Sequence, residues 1–96
     1  MPGKAEGQKK HAIRRMAERF PAVNPRSEYE AIMSDIRAGR LDLVERQSKR
    51  VSVFHREIGG VPARVWYDRD RHTVVTVYPD GAGVLPESDM AEVGGE

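Results

Sequence analysis

The chain has 96 residues, with 16 Lys or Arg, 15 Asp or Glu and a formal net charge of +1. This length predicts one domain, and a hydrophobic content of 39% is typical of a folded, soluble protein. The absence of cysteine excludes disulfides, thiolate nucleophiles and cysteine–zinc sites. No apolar run approaches the roughly 20 residues of a membrane span, and none follows the basic N-terminus as in a secretory signal. We therefore expect a cytoplasmic protein with no membrane partner.

The N-terminal part is predicted to form one amphipathic helix after a flexible arm of residues 1–8. The helix starts near Lys9, with Glu6 as an alternative, and ends at Phe20, because Pro21 disfavours helix in the residue before it. At about 100° per residue, its apolar residues gather on one side: Ala12, Ile13, Met16, Ala17 and Phe20. The polar residues gather on the opposite side and are expected at the surface: His11, Arg14, Arg15, Glu18 and Arg19.

A second helix is predicted over residues 27–38. Its start is ambiguous, because Asn24 followed by Pro25 is typical of a helix start, whereas the capping-box pattern begins at Ser27. Gly39 is a plausible stop. The chain then changes to strand-like periodicity in four segments, which are residues 41–45, 51–58, 63–67 and 72–78.

These elements predict an α+β fold, with two N-terminal helices packed on a three- to four-stranded antiparallel sheet. Simple alternation in the last strand places Val74, Thr76 and Tyr78 on one face and Val75 and Val77 on the other. The predicted core consists of apolar residues from both helices and two strands: Ile13, Met16, Phe20, Ile32, Ile36, Val65 and Val75. Residues 9–80 are therefore expected to form a single domain.

The charge is unevenly distributed. Residues 79–96 contain five acidic side chains and no Lys or Arg, so the other 78 residues carry 16 basic and 10 acidic side chains, or +6. Such a basic body favours RNA or another polyanion as partner. Residues 81–96 are expected to be an acidic, disordered tail. The alternative is that this tail folds over the basic body and mimics a polyanion.

A histidine and an arginine four residues apart are neighbours on a helix surface. RNA cleavage through the ribose 2′-hydroxyl needs a proton-transfer group and cations that stabilise the charge on phosphorus, and it needs no metal. We therefore assign candidate catalytic roles to His11, Arg15 and Thr76, and candidate substrate-binding roles to Arg19, Arg64 and Tyr78. No metal site and no cofactor is expected, because the three histidines, at 11, 55 and 72, lack paired ligand spacing.

The segment His11-Ala12-x-x-Arg15-Met16-x-x-Arg19 resembles a helix motif of small bacterial and phage domains of largely unknown function. These domains are grouped on fold grounds with ribonuclease domains of the barnase–colicin–RelE type. The resemblance extends over roughly residues 11–79. It implies a curled antiparallel sheet behind the helices and an RNA site where the sheet meets the first helix. The positions that carry over are His11, Arg15, Arg19 and Thr76.

Two functions are consistent with these features. One is a metal-independent endoribonuclease of the toxin or phage-effector type, with His11 as general acid or base and Arg15 as phosphate clamp. The other is a non-catalytic phage-type module that engages a host protein, a protein inhibitor or a nucleic acid. A nuclease should hold His11 within hydrogen-bond reach of a second polar residue on a strand, in a concave basic cleft. A binding module should show an apolar or single-sign patch and leave His11 solvated and alone.

Overall fold

In the computed structural model, which describes residues 3–81, 85–86 and 89–90, two helices precede a four-stranded antiparallel sheet. This arrangement confirms the α+β class predicted from the change of periodicity near Arg40. The elements are α1 (Lys4–Arg19), α2 (Pro25–Arg37), β1 (Asp42–Arg46), β2 (Val51–Ile58), β3 (Val61–Asp68) and β4 (Thr73–Pro79).

Helix α1 begins at Lys4, before both predicted starts, Glu6 and Lys9. Residues 4–8 are therefore helical and do not form the expected flexible arm, and residues 1–2 lie outside the described part. The reason is a tertiary contact of the first turns. Gln8 is buried, and its Nε2 donates to Oδ2 of Asp68 at 3.0 Å while its Oε1 accepts from the hydroxyl of Thr73. These contacts with the β3–β4 turn stabilise the first turns of α1, whose helical state is only marginally stable from the local sequence alone.

Helix α2 begins at Pro25, so the earlier of the two possible starts is correct. Asn24 is the N-cap, and its side-chain oxygen accepts the backbone N–H of Ser27 at 3.0 Å. The helix ends at Arg37, and Gly39 follows with φ +70°, a left-handed conformation that glycine adopts without steric cost.

The strands pair in chain order, β1-β2-β3-β4. Gly59 and Gly60 join β2 to β3 with φ +59° and +81°, as in a two-residue hairpin turn with both central residues left-handed. A Cβ at position 59 would lie 2.9 Å from Cγ1 of Val23, so any other residue there would also displace the Val23 side chain. In the described chain β4 pairs on one side only, and α1 packs mainly against this strand.

Hydrophobic side chains cover both faces of the sheet. On the face toward the helices the core includes Met16, Phe20, Ile32, Val65 and Val77. On the outer face a smaller cluster consists of Val51, Val53, Trp66 and Val75, with Tyr78 and Leu85 packed against it. Five of the seven predicted core residues are buried; the exceptions, Ile13 and Ile36, are only half-buried at the edge of the helix-facing core.

A β-bulge in β4 overturns the predicted alternation of that strand. Trp66 pairs with Thr76, but Tyr67 pairs with Val74, so Val75 is an extra residue between them. Since paired residues share a face, Val74 lies on the helix side, whereas Thr76 lies on the outer side with Trp66. Simple alternation fails because one unpaired residue shifts every later side chain to the opposite face.

Candidate functional site

The polar stripe of α1 faces the free edge of β4 instead of solvent. Its residues are Gln8, His11, Arg15 and Arg19, whose spacing of three, four and four places them on one helix face. His11 is only 7% exposed, which corrects the expectation that it lies on the exposed edge of the helix. The stripe is covered because a residue from beyond β4 packs against it.

That residue is Asp89, whose side chain is completely buried among groups of α1 and β4. Its Oδ1 lies 2.9 Å from Nε2 of His11 and accepts from Nε of Arg15, also at 2.9 Å. Its Oδ2 accepts from Arg19 and, at 3.2 Å, from the hydroxyl of Thr76. We call these four partners, His11, Arg15, Arg19 and Thr76, the anion site.

The anion site holds Asp89 in its ionised form. Burial by itself raises the pKa of Asp89, but hydrogen bonds and charge from Arg19 and Arg15, with a further bond to His11, outweigh it and lower the pKa below its ordinary value. Hydrogen bonds to Glu18 and to Asp89 in turn raise the pKa of Arg15. The site is therefore built for an oxyanion with two oxygens, each contacted by one pair of partners.

Arg19 links the anion site to the sheet. One of its guanidinium nitrogens donates to the carbonyl of Val77 at 3.0 Å, which satisfies a backbone acceptor on the open edge of β4. The same guanidinium lies 4.8 Å from the centre of the Tyr78 ring, in cation–π geometry. Two candidate substrate-binding residues thus lie side by side, next to the oxyanion position.

The remaining candidates lie outside the anion site. Arg64, which we expected to bind substrate, lines a groove on the outer face of the sheet, and its Nε donates to Asp80 at 3.1 Å. His55 lies on the neighbouring strand and contacts the same carboxylate, with Nε2 at 3.5 Å from Oδ2. His72 follows β3 and contacts the Tyr67 hydroxyl at 3.3 Å. The three histidines therefore belong to three separate environments, and only His11 belongs to the anion site.

The side chain that sequence reasoning missed as a site residue is Asp89. We expected residues 81–96 to be disordered; the structure differs at Asp89, and residues 82–84, 87–88 and 91–96 lie outside the described part. The signal was the charge asymmetry, which led to the alternative of an acidic tail folded over the basic body. The charge of this segment does not predict which of its five acidic residues is buried against α1. That depends on the path of the chain after β4.

A groove of about 450 Å³ lies on the outer face of the sheet beside the anion site. Its wall includes the aromatic rings of Trp66 and Tyr78, and Gln47, whose Oε1 accepts from the indole N–H of Trp66 at 3.0 Å. The wall also contains Leu85 and Met90, which lie near Asp89 in sequence, and the charged side chains of Glu45 and Arg64. The groove therefore combines aromatic surface with hydrogen-bonding groups, a composition typical of ligand pockets.

Within residues 3–81, 85–86 and 89–90, no three acidic or histidine side chains are grouped to hold a metal ion. In the same part of the chain, neither helix has the length and apolar character to cross a membrane. Comparison of the chain with protein-family models, with curated proteins and with solved structures gives no match.

Proposed function

We propose that this protein is a metal-independent endoribonuclease, of the toxin or phage-effector type, that acts on RNA in the cytoplasm. The observation that carries the proposal is the convergence of His11, Arg15, Arg19 and Thr76 on one buried carboxylate. Arginine forks match carboxylates and phosphates with similar geometry. A site that holds two carboxylate oxygens in this way offers the same donors to two oxygens of a phosphodiester.

The reaction class follows from the groups present. The ribose 2′-hydroxyl attacks the adjacent phosphorus while a base removes its proton. The bond from phosphorus to the 5′-oxygen breaks, and an acid donates a proton to that oxygen. The products are a 2′,3′-cyclic phosphate and a 5′-hydroxyl, so no oxidant or co-reactant is required. A histidine suits proton transfer because its ordinary pKa lies near neutrality.

The geometry suggests how the roles are divided. His11 and Arg15 meet at one carboxylate oxygen, so His11 is next to an oxygen whose charge a guanidinium neutralises. Arg19 and Thr76 meet at the other oxygen and would orient the phosphate. Donors fixed in a site with little water stabilise the extra charge on phosphorus without reorganisation. The helix motif that resembles the ribonuclease group contains three of these four residues.

Asp89 must leave before a phosphate can bind, because both anions need the same donors. The proposed enzyme therefore has a carboxylate of its own as competitor. In this state His11 reaches Thr76 through Asp89, and it is neither solvated nor alone. That arrangement favours the nuclease over the binding module.

The second candidate function, a non-catalytic module for a polyanion, is favoured by a different surface. A groove of about 320 Å³ on the outer side of α1 is lined by Lys9, Lys10, Arg14 and Arg26. Lys9 also lies 5.4 Å from the centre of the Tyr29 ring. The groove is also lined by Glu6, and its four cations outweigh this one carboxylate, a balance that suits binding of an acidic partner.

The test is cleavage of single-stranded RNA in EDTA by the wild type and by His11→Ala, with His55→Ala as the matched histidine control. We expect cleavage to a 2′,3′-cyclic phosphate by the wild type and by His55→Ala, and a loss of about 10²–10⁴-fold in His11→Ala. Activity that disappears in EDTA would exclude this mechanism. Equal cleavage by His11→Ala and wild type would remove His11 from the mechanism, and no cleavage by the wild type under any condition would favour the binding module.

A further inference from the structure

The described residues beyond β4 cover two adjacent surfaces at once. Asp89 fills the anion site, and Leu85 packs on the outer-face cluster that contains Trp66 and Val75. Leu85 and Met90 also form one wall of the groove that Trp66 and Tyr78 line. A short stretch of chain thus places a negative charge and apolar side chains on neighbouring parts of one surface.

Arg19 shows that these two parts belong together. Its guanidinium donates to Asp89 and also lies 4.8 Å from the centre of the Tyr78 ring. An anion held by Arg19 is therefore separated from the aromatic ring by a single side chain. Single-stranded RNA presents the same pairing, since each phosphate is followed by an unpaired base that can stack on an aromatic side chain.

We propose that Leu85, Asp89 and Met90 together act as a pseudosubstrate. Asp89 takes the place of the RNA phosphate. Leu85 packs on the cluster that contains Trp66, and with Met90 it lines the groove in which an unpaired base of the substrate stacks on Trp66 and Tyr78. This inference rests on the proposed function, and it specifies the substrate as single-stranded RNA with an accessible base beside the reacting phosphate. RNA and the chain's own segment then bind the same surface in turn.

A tethered competitor is effective because its effective concentration is high, in the millimolar range for short linkers. One carboxylate nevertheless offers less charge than several successive phosphates, so RNA can displace it. The competition also explains why a cluster with phosphate-binding chemistry is closed to solvent. A contact kept only for stability needs no aromatic surface next to the carboxylate.

The test uses the full chain and a single-stranded oligonucleotide of 2′-O-methyl RNA, which binds but lacks the attacking hydroxyl. Asp89→Asn removes the charge with almost no change of shape, and Asp70→Asn is the matched control because Asp70 is an exposed acid outside the site. We expect Asp89→Asn to bind the oligonucleotide at least about tenfold more tightly than wild type. Asp70→Asn should bind like the wild type.

Trp66, the single tryptophan of the chain, reports on the base. At saturation the oligonucleotide should change Trp66 fluorescence in Asp89→Asn, whereas inorganic phosphate should bind without a comparable change. Adding Tyr78→Leu to Asp89→Asn should weaken binding of the oligonucleotide by a larger factor than binding of inorganic phosphate, since the ring contacts both the base and Arg19. Circular dichroism and the denaturation midpoint show whether each variant is folded. If Asp89→Asn fails to fold, Asp89→Glu, which keeps the charge, is measured in its place.

Equal oligonucleotide affinity of folded Asp89→Asn and wild type would overturn the pseudosubstrate. If Asp89→Asn is unfolded, Asp89→Glu should still bind the oligonucleotide as weakly as wild type, and tighter binding by it would overturn the proposal. The proposed function fails separately: no cleavage of unmodified RNA by any variant, together with tighter binding by Asp89→Asn, would exclude the nuclease and retain the competition between Asp89 and RNA.

Discussion

Nε2 of His11 lies 2.9 Å from Oδ1 of Asp89, a residue 78 positions further along the chain. The contact joins the first helix to the segment after the last strand, and both side chains are buried. In the proposed mechanism His11 transfers a proton only when Asp89 has moved away. Stability and the proposed activity would then make opposite demands on this pair, a trade-off that is common at functional sites.

Replacing Asp89 by Ala should destabilise the fold and strengthen RNA binding at the same time. The carboxylate accepts hydrogen bonds from two guanidinium groups and a hydroxyl, and bonds to charged groups contribute about 1.5–3 kcal/mol each when one partner is lost. We expect a loss of about that size in the free energy of unfolding, measured in urea, because Arg15 and Arg19 keep some access to water.

Asp80→Ala is the control for this prediction. Asp80 pairs with Arg64 and His55, and these side chains are substantially exposed, so its removal should cost less than about 1 kcal/mol. If Asp89→Ala loses stability and RNA affinity together, Asp89 has a purely structural role.

Acid should destabilise the protein through its buried carboxylates. Burial raises the pKa of Asp68, but bonds from Gln8, from backbone N–H groups and from charged neighbours lower it overall, as is also the case for Asp89. A group whose pKa is lower in the folded state stabilises the protein above its unfolded pKa of about 3.9 and loses this contribution as the pH falls toward the folded pKa. The free energy of unfolding should therefore fall below about pH 4.

The measurement is a series of urea titrations between pH 7 and pH 2. Asp68→Asn should flatten the decrease at low pH, because asparagine has no proton to gain. An equally steep decrease in this variant and in the wild type would show that other carboxylates dominate.

The sequence predicts the elements well because their signals are local. Asn24 and Pro25 mark the start of α2, and the double glycine at positions 59 and 60 marks a hairpin. The first turns of α1, in contrast, depend on a partner 60 residues away, so the arm was expected to be flexible. The faces on which the β4 side chains lie also depend on a distant partner. The bulge arises from the pairing of β3 with β4, so the sequence of β4 alone does not predict it.

In the candidate site, likewise, the residues whose placement follows from local structure could be predicted, and the residue whose placement depends on a distant contact could not. His11, Arg15 and Arg19 share a face because helix geometry alone puts them there, and Thr76 lies beside them because β4 packs on α1. Asp89 could not be chosen among the acids of the tail, since its position depends on how the chain returns after β4.

Gln8→Ala should cost about 1–3 kcal/mol, even though Gln8 lies in a segment that the sequence predicts to be an arm. Its amide donates to Asp68 and accepts from Thr73, and both partners are buried, so the substitution leaves unsatisfied polar groups. Urea denaturation should detect this loss. The matched control is Lys10→Ala, because Lys10 is exposed on the same helix and its replacement should change stability by no more than about 0.5 kcal/mol.

Arg15→Lys should reduce RNA cleavage although it keeps the positive charge. The Nε of Arg15 donates to Asp89 while another guanidinium nitrogen donates to Glu18 at 2.8 Å, so the fork is positioned by Glu18. An ammonium group cannot make both contacts in this planar geometry. We expect kcat/KM for single-stranded RNA to fall roughly tenfold or more, which corresponds to about 1.4 kcal/mol of transition-state stabilisation.

Arg14→Lys is the matched control, since Arg14 points to the other side of α1, at the basic groove. It should cleave RNA at the wild-type rate. The rival binding module makes the reverse prediction, because its partner would contact that groove: Arg14→Ala would then weaken RNA binding more than Arg15→Lys does. Measuring RNA affinity and cleavage for all three variants therefore separates the two functions, and undiminished cleavage by Arg15→Lys would remove Arg15 from the proposed mechanism.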